Sequence, residues 1–318
     1  MTPGDDEFAE VARQALRSGD GNSALDALGW WELLAHLDDP EARAAVFALP
    51  RAQGRELANS TALGALMAQP YLDVLGGQPG SLVAAVTRRS VQRGHVFVVV
   101  GDTTGRRVLV DRPGEGATVV DAADVDLQRV EVPGRLSVHE ASIDRASGPV
   151  TLGDAACTGP RARSTVLGRV AIALEVLGAA EGAVALALEH ARAREQFGQP
   201  IGAFQAVRHL LAWATTDCTA IERVTAEAVA LGAAAPPRYG DIAKALAGRN
   251  GRRACERALQ VLGAIGFTAE HDHHHFHGRV LTLDALLGTS ARLTRELGAW
   301  WREQHGEVQM ASAMLLAP

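Results

Sequence analysis

Several features that define common classes of protein are missing or scarce in this 318-residue sequence. It has only three cysteines, Cys157, Cys218 and Cys255, which are far apart and odd in number, so we expect a reducing compartment and neither a disulfide framework nor a zinc site. The net charge of −6 gives no concentrated basic surface for a nucleic acid. The acidic N-terminus lacks the apolar segment of a secretory signal, and we therefore expect a cytoplasmic protein.

A long apolar run without charges is also missing. The most apolar stretch, residues 170–188, contains Glu175 and Glu181 among many alanines and glycines. We interpret it as a buried bundle helix and expect no membrane span. The segment GDTTGRR has too few glycines, and no helical pattern after it, to form a phosphate-binding loop.

What the sequence does contain is a change of pattern along the chain. Apolar residues make up 47% of it, and alanine and leucine dominate, which favours packed helices. Residues 1–77 have apolar residues at helical spacing, whereas residues 78–155 contain short β-branched runs such as HVFVVV and RRVLVDR. Residues 156–318 return to long helical patterns with short breaks. We predict a mostly α fold with three domains: N-terminal helices, a short antiparallel β-domain and a C-terminal four-helix bundle.

Two segments of the third region carry a resemblance. AREQFGQPIGAFQAVRHLLA and QVLGAIGFTAEHDHHHFHGR, together with the order of the three regions, resemble the acyl-CoA dehydrogenase family. In its general sequence character, the chain is similar to actinobacterial members of the family that handle bulky acyl groups such as sterol side chains. The resemblance implies oxidation of the α,β carbon bond of an acyl-CoA thioester with FAD, and transfer of the electrons to an electron-transfer flavoprotein.

The first motif contains Arg194, Gln196 and Phe197. The resemblance implies that these residues contact the ADP half of FAD, often across a subunit interface. A guanidinium can donate two charge-assisted hydrogen bonds to a pyrophosphate, and a phenylalanine offers an apolar face to the dinucleotide. The alternative interpretation is that arginine and glutamine solvate a helix end while phenylalanine fills the core.

The second motif contains Gln260, Gly263, Ala264 and Gly266, which the resemblance also assigns to FAD. Glycines at these positions would let the backbone approach a phosphate closely. The family usually has two glycines where this chain has Gly263 and Ala264, so a methyl group stands where the pyrophosphate would pass. The alternative is a helix that ends in a Schellman-type cap.

Removal of the α-proton requires a carboxylate, and the resemblance places it at one of two positions. At the first position the chain has Leu287, followed closely by Thr289, which the resemblance assigns to the cofactor. At the second it has Gly168, directly before Arg169, which the resemblance implies as active-site support. Because neither leucine nor glycine can take a proton, we predict no catalytic residue in this chain.

Nearby carboxylates do not replace the missing base. Asp284 and Glu296 lie off the matching positions by more than a helical step. The β-region is short for the family, and its usual flavin-contact strand is not found. The sequence therefore keeps the motifs for the adenine side of FAD, but it lacks the base for proton removal and the strand that contacts the flavin ring.

Five histidines lie within EHDHHHFHGR: His271, His273, His274, His275 and His277. No cysteine or second carboxylate cluster lies near them in sequence, so we predict structural or interface roles. Metal binding is the alternative.

Three functions are compatible with these observations. In the first, which we expect, the protein is one subunit of a heterotetrameric acyl-CoA dehydrogenase, contributes to a shared FAD site and relies on a partner subunit for the base. In the second, it is a homo-oligomeric, self-sufficient divergent flavoenzyme, or a non-redox enzyme of secondary metabolism on the same fold. In the third, it is a binding module that uses the bundle for assembly alone.

Overall fold

The N-terminal region consists of short and medium helices. A computed structural model describes residues 3–18, 20–90, 94–142, 150–232, 235–236 and 238–304. The side chain of Asp39 accepts hydrogen bonds from two backbone N–H groups of the fourth helix, whose first residue is Pro40, a pairing that favours helix initiation. The five helices are α1 (Pro3–Ser18), α2 (Gly21–Ala27), α3 (Trp30–Leu34), α4 (Pro40–Glu56) and α5 (Ala62–Leu75).

The β-region forms two four-stranded sheets. Their orders are β1-β4-β5-β8 and β2-β3-β7-β6, and an apolar cluster that includes Val83, Val99 and Val108 packs between them. The strands are β1 (Leu82–Ala84), β2 (Val86–Ser90), β3 (Gly94–Val100), β4 (Arg107–Arg112), β5 (Gly116–Asp121), β6 (Asp126–Val130), β7 (Val138–Ser142) and β8 (Val150–Leu152).

One strand pair departs from the predicted antiparallel arrangement, because β1 and β4 are parallel. Only Ala85 separates β1 from β2, so one extended segment passes from the first sheet into the second. The remaining pairs within the two sheets are antiparallel.

The C-terminal region is a helical bundle built around one long helix. That helix, α6, has 40 residues and is therefore about 60 Å long. It spans Asp154–Ala193, and a hairpin of β9 (Glu195–Gln196) and β10 (Gln199–Pro200) connects it to the next helix. The other helices are α7 (Gln205–Leu231), α8 (Arg238–Leu262), α9 (His273–Asp284) and α10 (Ser290–Glu303). The mostly α fold with a small β-region is confirmed. The helical pattern of residues 277–304, which predicts the fourth helix of the bundle, is divided between α9 and α10.

Helix α6 is the centre of the protein. By length and composition it could cross a membrane, but 83% of its most apolar 18-residue window is buried inside the protein. Glycines let α4 approach it closely: a Cβ on Gly54 would lie 1.9 Å from the carbonyl oxygen of Glu175, and one on Gly178 would lie 1.9 Å from that of Arg51. Helix α6 is therefore a core helix to which the N-terminal helices pack at backbone contact.

A buried ion pair ties the regions to one another. Arg279 on α9 is fully buried, and its Nε donates a 2.8 Å hydrogen bond to Glu175 on α6. The same guanidinium donates to the carbonyl oxygen of Ala58, after α4, and to that of Gly134 in the β-region. One side chain thus fixes the N-terminal helices and a β-region loop against the bundle.

Candidate functional site

The two predicted base positions lie against each other. Gly168 is buried in α6, and a Cβ built on it would lie 2.6 Å from Cδ1 of Leu287 and 2.8 Å from Sδ of Met67. Two positions that are distant in sequence therefore converge on one place, and apolar atoms fill it. Neither residue supplies a carboxylate there.

Leu287 lies in a tight turn between α9 and α10. Its φ of +51° is in the left-handed region, and Gly288 follows with φ +99°. The carbonyl oxygen of Leu287 accepts a 3.0 Å hydrogen bond from Nε of Arg169, which also pairs with Asp241. Burial lowers the pKa of Arg169. Arg169 therefore contacts the backbone of the turn directly.

The carboxylates nearest in sequence to this turn are already engaged. Asp284 accepts hydrogen bonds from the backbone N–H and the hydroxyl of Ser290, at 2.9 and 3.1 Å. Glu296 lies on the exposed side of α10, where it accepts a 2.6 Å hydrogen bond from Arg292. The hydroxyl oxygen of Thr289 accepts from the backbone of Arg292 and caps α10, and its contact with a cofactor stays a prediction.

The first predicted cofactor motif forms an exposed edge at the end of α6. Arg194 follows the last helical residue, and its carbonyl oxygen accepts a 2.8 Å hydrogen bond from the backbone of Ile201. Phe197 is 92% exposed, has φ +56° and meets Phe204 edge to face. The amide of Gln196 donates to the carbonyl oxygen of its neighbour Glu195. We call residues 194–204 the Arg194 edge.

The second predicted motif closes α8. Gly263 follows Leu262 with φ +65°, so it occupies the left-handed position that commonly ends a helix, as the cap interpretation requires. Gly266 is buried against Leu262, whereas Ala264 is exposed. Gln260, in the last turn of α8, and Phe267, beyond Gly266, are also exposed. The methyl group of Ala264 thus lies on an open surface.

The two motifs lie at the same end of the bundle. Burial lowers the pKa of His190, near the end of α6, and the neighbouring His271 and Arg194 lower it further. Among the residues that the structure describes, the guanidinium of Arg194 has no hydrogen-bond or ion-pair partner. This guanidinium, three residues before the exposed ring of Phe197, fits an anionic dinucleotide that has an aromatic part.

The Arg194 edge is far from the base positions of the same chain. Arg194 follows Gly168 by 26 residues of nearly continuous helix, which is about 39 Å along α6. That distance exceeds the reach of one extended dinucleotide. The edge and the base positions of one chain are therefore well separated along α6.

The histidine segment packs against the bundle. Nε2 of His273 lies 2.9 Å from the carbonyl oxygen of Cys255, and because a carbonyl oxygen only accepts, this nitrogen is the donor. Burial lowers the pKa of His273. Asp272 pairs at 3.0 Å with Arg135 of the β-region. Over the described ranges, no three His, Cys, Asp or Glu side chains are grouped to hold a metal ion.

Lys244 is a residue that the sequence analysis missed. The chain has 31 lysines and arginines in total, and Lys244 is its single lysine. Its side chain is 0% exposed and contacts the turn that carries Leu287. The signal that could have found it is compositional: one lysine in a chain whose other permanent cations are arginines.

The comparisons with known proteins assign the family. Residues 162–301 match the family described as acyl-CoA dehydrogenase, C-terminal domain. Acyl-CoA dehydrogenase FadE34 of Mycobacterium tuberculosis is 32% identical over 216 residues, which is 67% of this chain and 30% of that protein. Acyl-CoA dehydrogenase FadE27 of the same organism is 31% identical over 225 residues, which is 66% of this chain and 58% of that protein. The chain belongs to the acyl-CoA dehydrogenase family, whose members depend on FAD, and it spans only part of these two relatives.

Solved structures share the fold over nearly the whole chain. A Tcur3481-Tcur3483 steroid ACAD variant has a TM-score of 0.71 and 24% identity, with 96% of this chain and 99% of that one covered. The ChsE4-ChsE5 complex of Mycobacterium tuberculosis has a TM-score of 0.72 and 19% identity, with 97% and 99% covered. Butyryl-CoA dehydrogenase of Megasphaera elsdenii has a TM-score of 0.75 and 16% identity, with 95% and 98% covered.

Proposed function

We propose that this protein is one subunit of a heteromeric acyl-CoA dehydrogenase. It contributes to an FAD site and supports α,β-dehydrogenation of an acyl-CoA thioester, while the partner subunit supplies the base. The observation that carries this proposal is the contact between Leu287 and Gly168, which leaves both predicted base positions without a carboxylate.

The chemistry explains why a partner is needed. Loss of the α-proton requires a group that can accept it, and a positioned base contributes roughly 10²–10⁴-fold to such a step. Leu287, Gly168 and Met67 offer only apolar atoms at that place. Bound FAD supplies the acceptor for the β-hydride. The carboxylate that takes the α-proton must then belong to another chain.

The Arg194 edge gives this chain its part in the cofactor site. Arg194 would bind the pyrophosphate, Gln196 and Phe197 would contact the ADP half, and Gln260 with the loop of Gly263, Ala264 and Gly266 would complete the surface. Because this edge lies about 39 Å along α6 from the chain's own base positions, the flavin ring of the cofactor it holds would lie against the partner. The exposed Arg194 edge supports this sharing, since nothing among the described residues covers Phe197.

The proposed partner is a second acyl-CoA dehydrogenase subunit, in a heterotetramer. Two of the similar structures are named as pairs of proteins, Tcur3481-Tcur3483 and ChsE4-ChsE5, and the first is described as a steroid ACAD. The description of the first as a steroid ACAD supports a bulky, sterol-type acyl group as substrate. A cytoplasmic location for the complex is a proposal that rests on the sequence. An electron-transfer flavoprotein would accept the electrons.

Co-expression tests this function. The chain should be produced alone and together with a family subunit that has glutamate at the position matching Leu287. We expect a flavin-free or poorly soluble product in the first case. In the second we expect a yellow complex that reduces a dye when given an acyl-CoA. A stable homo-oligomer with full flavin content and dehydrogenase activity would contradict the proposal.

A further inference from the structure

Lys244 on α8 spans the turn between α9 and α10 with one ammonium group. Its Nζ donates to the carbonyl oxygens of Asp284 and Gly288, at 3.1 and 3.2 Å, and lies 3.4 Å from Oδ1 of Asp284. An ammonium has three donors and no acceptor, and here three oxygens of one short segment surround it. A single side chain thus connects the end of α9 with the residue that follows Leu287.

This turn needs to be held. Leucine at φ +51° is uncommon, since the Cβ of an L-residue clashes with its own backbone in the left-handed region. The last carbonyl groups of a helix also lack partners within the helix. Lys244 bonds one such carbonyl at Asp284, and Arg169 on α6 bonds the carbonyl oxygen of Leu287.

We propose that Lys244 is a positioning residue, whose ammonium fixes the 284–288 turn so that Leu287 lies against Gly168 and α10 begins at Ser290. Any consequence for the cofactor site rests on the function proposed above. The positioning itself depends only on contacts within this chain.

The local packing favours lysine over arginine at this position. Lysine carries a compact charge on a flexible stem, whereas the guanidinium is a wide planar fork. Helix α8 also comes very close to the turn: a Cβ on Gly248 would lie 1.9 Å from Oδ1 of Asp284. A fully buried site with so little space takes the smaller cation, in a chain that otherwise uses arginine.

The surroundings of Lys244 perturb its ionisation. The pKa of Lys244 is lowered to about 8, mainly by burial; the carboxylate of Asp284 opposes this change, and the positive charge of Arg169 on α6 adds to it. At neutral pH the group is therefore still an ammonium with all three donors.

Hydrogen exchange tests the positioning role. In the full chain, or in the complex with its partner, Lys244→Met should accelerate exchange of the backbone amides of residues 285–290 by roughly tenfold or more, because the hydrogen bonds that hold the turn are lost. Exchange in α4 and α7 should change much less. Arg51→Met, which removes a cation between α4, α6 and α7, should leave the turn unaffected. Equal acceleration throughout the chain, or none in the turn, would overturn the proposal.

A second measurement needs no destabilising variant at Lys244. Isotope-labelled lysine gives one side-chain NMR signal, because the chain has a single lysine. This signal should titrate near pH 8, and Asp284→Asn should move the titration lower by removing the opposing carboxylate. A signal that titrates near the ordinary lysine pKa of 10.5 and ignores Asp284→Asn would place Lys244 away from the turn and overturn the proposal. Neither experiment requires bound flavin, so failure here is distinct from failure of the proposed function.

Discussion

Leu287 occupies the space that any side chain at Gly168 would need, since a Cβ on Gly168 would lie 2.6 Å from Cδ1 of Leu287. The glycine thus makes room for the leucine. The residues at the two base positions therefore depend on each other, because an acidic side chain at position 168 would require Leu287 to move.

This contact predicts a non-additive pair of substitutions. Gly168→Ala should lower the free energy of unfolding by about 1–3 kcal/mol, because the new methyl group overpacks the contact with Leu287. In the background of Leu287→Ala, the same change should cost about 1 kcal/mol less, since only the contact with Met67 then remains to oppose the new methyl group. Urea unfolding of the two single variants and the double variant measures the coupling.

Helix α10 offers a control for this cycle. A Cβ on Gly298 would meet Nη1 of Arg302 at 3.8 Å, an ordinary van der Waals distance. Gly298→Ala should therefore stabilise the protein by roughly 0.5–1 kcal/mol through helix propensity. If Gly168→Ala behaves in the same way, the contact with Leu287 does not restrict position 168.

The buried pair of Arg279 and Glu175 should be far more important for stability than a surface pair. Arg279→Met leaves Glu175 as an unpaired buried charge and should cost about 3–5 kcal/mol in the free energy of unfolding. Arg292→Met, which breaks the exposed pair with Glu296, should change it by no more than about 1 kcal/mol. Comparable losses in the two variants, measured by thermal or urea unfolding, would show that burial of the first pair does not matter.

Lys244 predicts an alkaline gain in stability. Its pKa is about 8 in the folded protein and 10.5 as the ordinary value, so between these pH values the unfolded chain binds more protons than the folded one. The contribution of Lys244 to the free energy of unfolding therefore rises with pH across this window, by on the order of 3 kcal/mol in all, and is constant below pH 8. Burial raises the pKa of the Cys218 and Cys255 thiols, which lowers stability at alkaline pH, and the comparison with Lys244→Met removes this opposing effect. Unfolding curves of the wild type and of Lys244→Met, recorded from pH 7 to about pH 10.5, should diverge in favour of the wild type. Parallel pH profiles would exclude a buried ammonium at this position.

The long-range pattern of the fold could be predicted from the sequence, whereas local geometry could not. Period and composition indicated helices, then strands, then a bundle, because each pattern persists over many residues. The break between α9 and α10 was missed, since the apolar spacing continues through Leu286 and Leu287 while the interruption arises from two left-handed residues. The parallel pairing of β1 with β4 was also hidden, because strand partners are not encoded within the strand itself.

The candidate site was predictable only in parts. The motifs identified Gly168 and Leu287 separately, but their contact depends on how α6 packs against the turn, which no local pattern contains. Lys244 was missed because a lone lysine in a helix has no motif. The role of the Arg194 edge in binding FAD stays a prediction, although its exposure fits that role, as does a guanidinium without a partner in the described part of the chain.

Flavin content of the co-purified complex tests the central claim most directly. We predict visible flavin absorbance in the wild-type complex, a marked loss with Arg194→Ala, and full retention with Arg192→Ala, which removes an exposed arginine two residues earlier on the same helix end. Thermal stability of the flavin-free complex should be the same in both variants, because neither side chain is buried. A complex of Arg194→Ala that keeps its full flavin content would contradict the account.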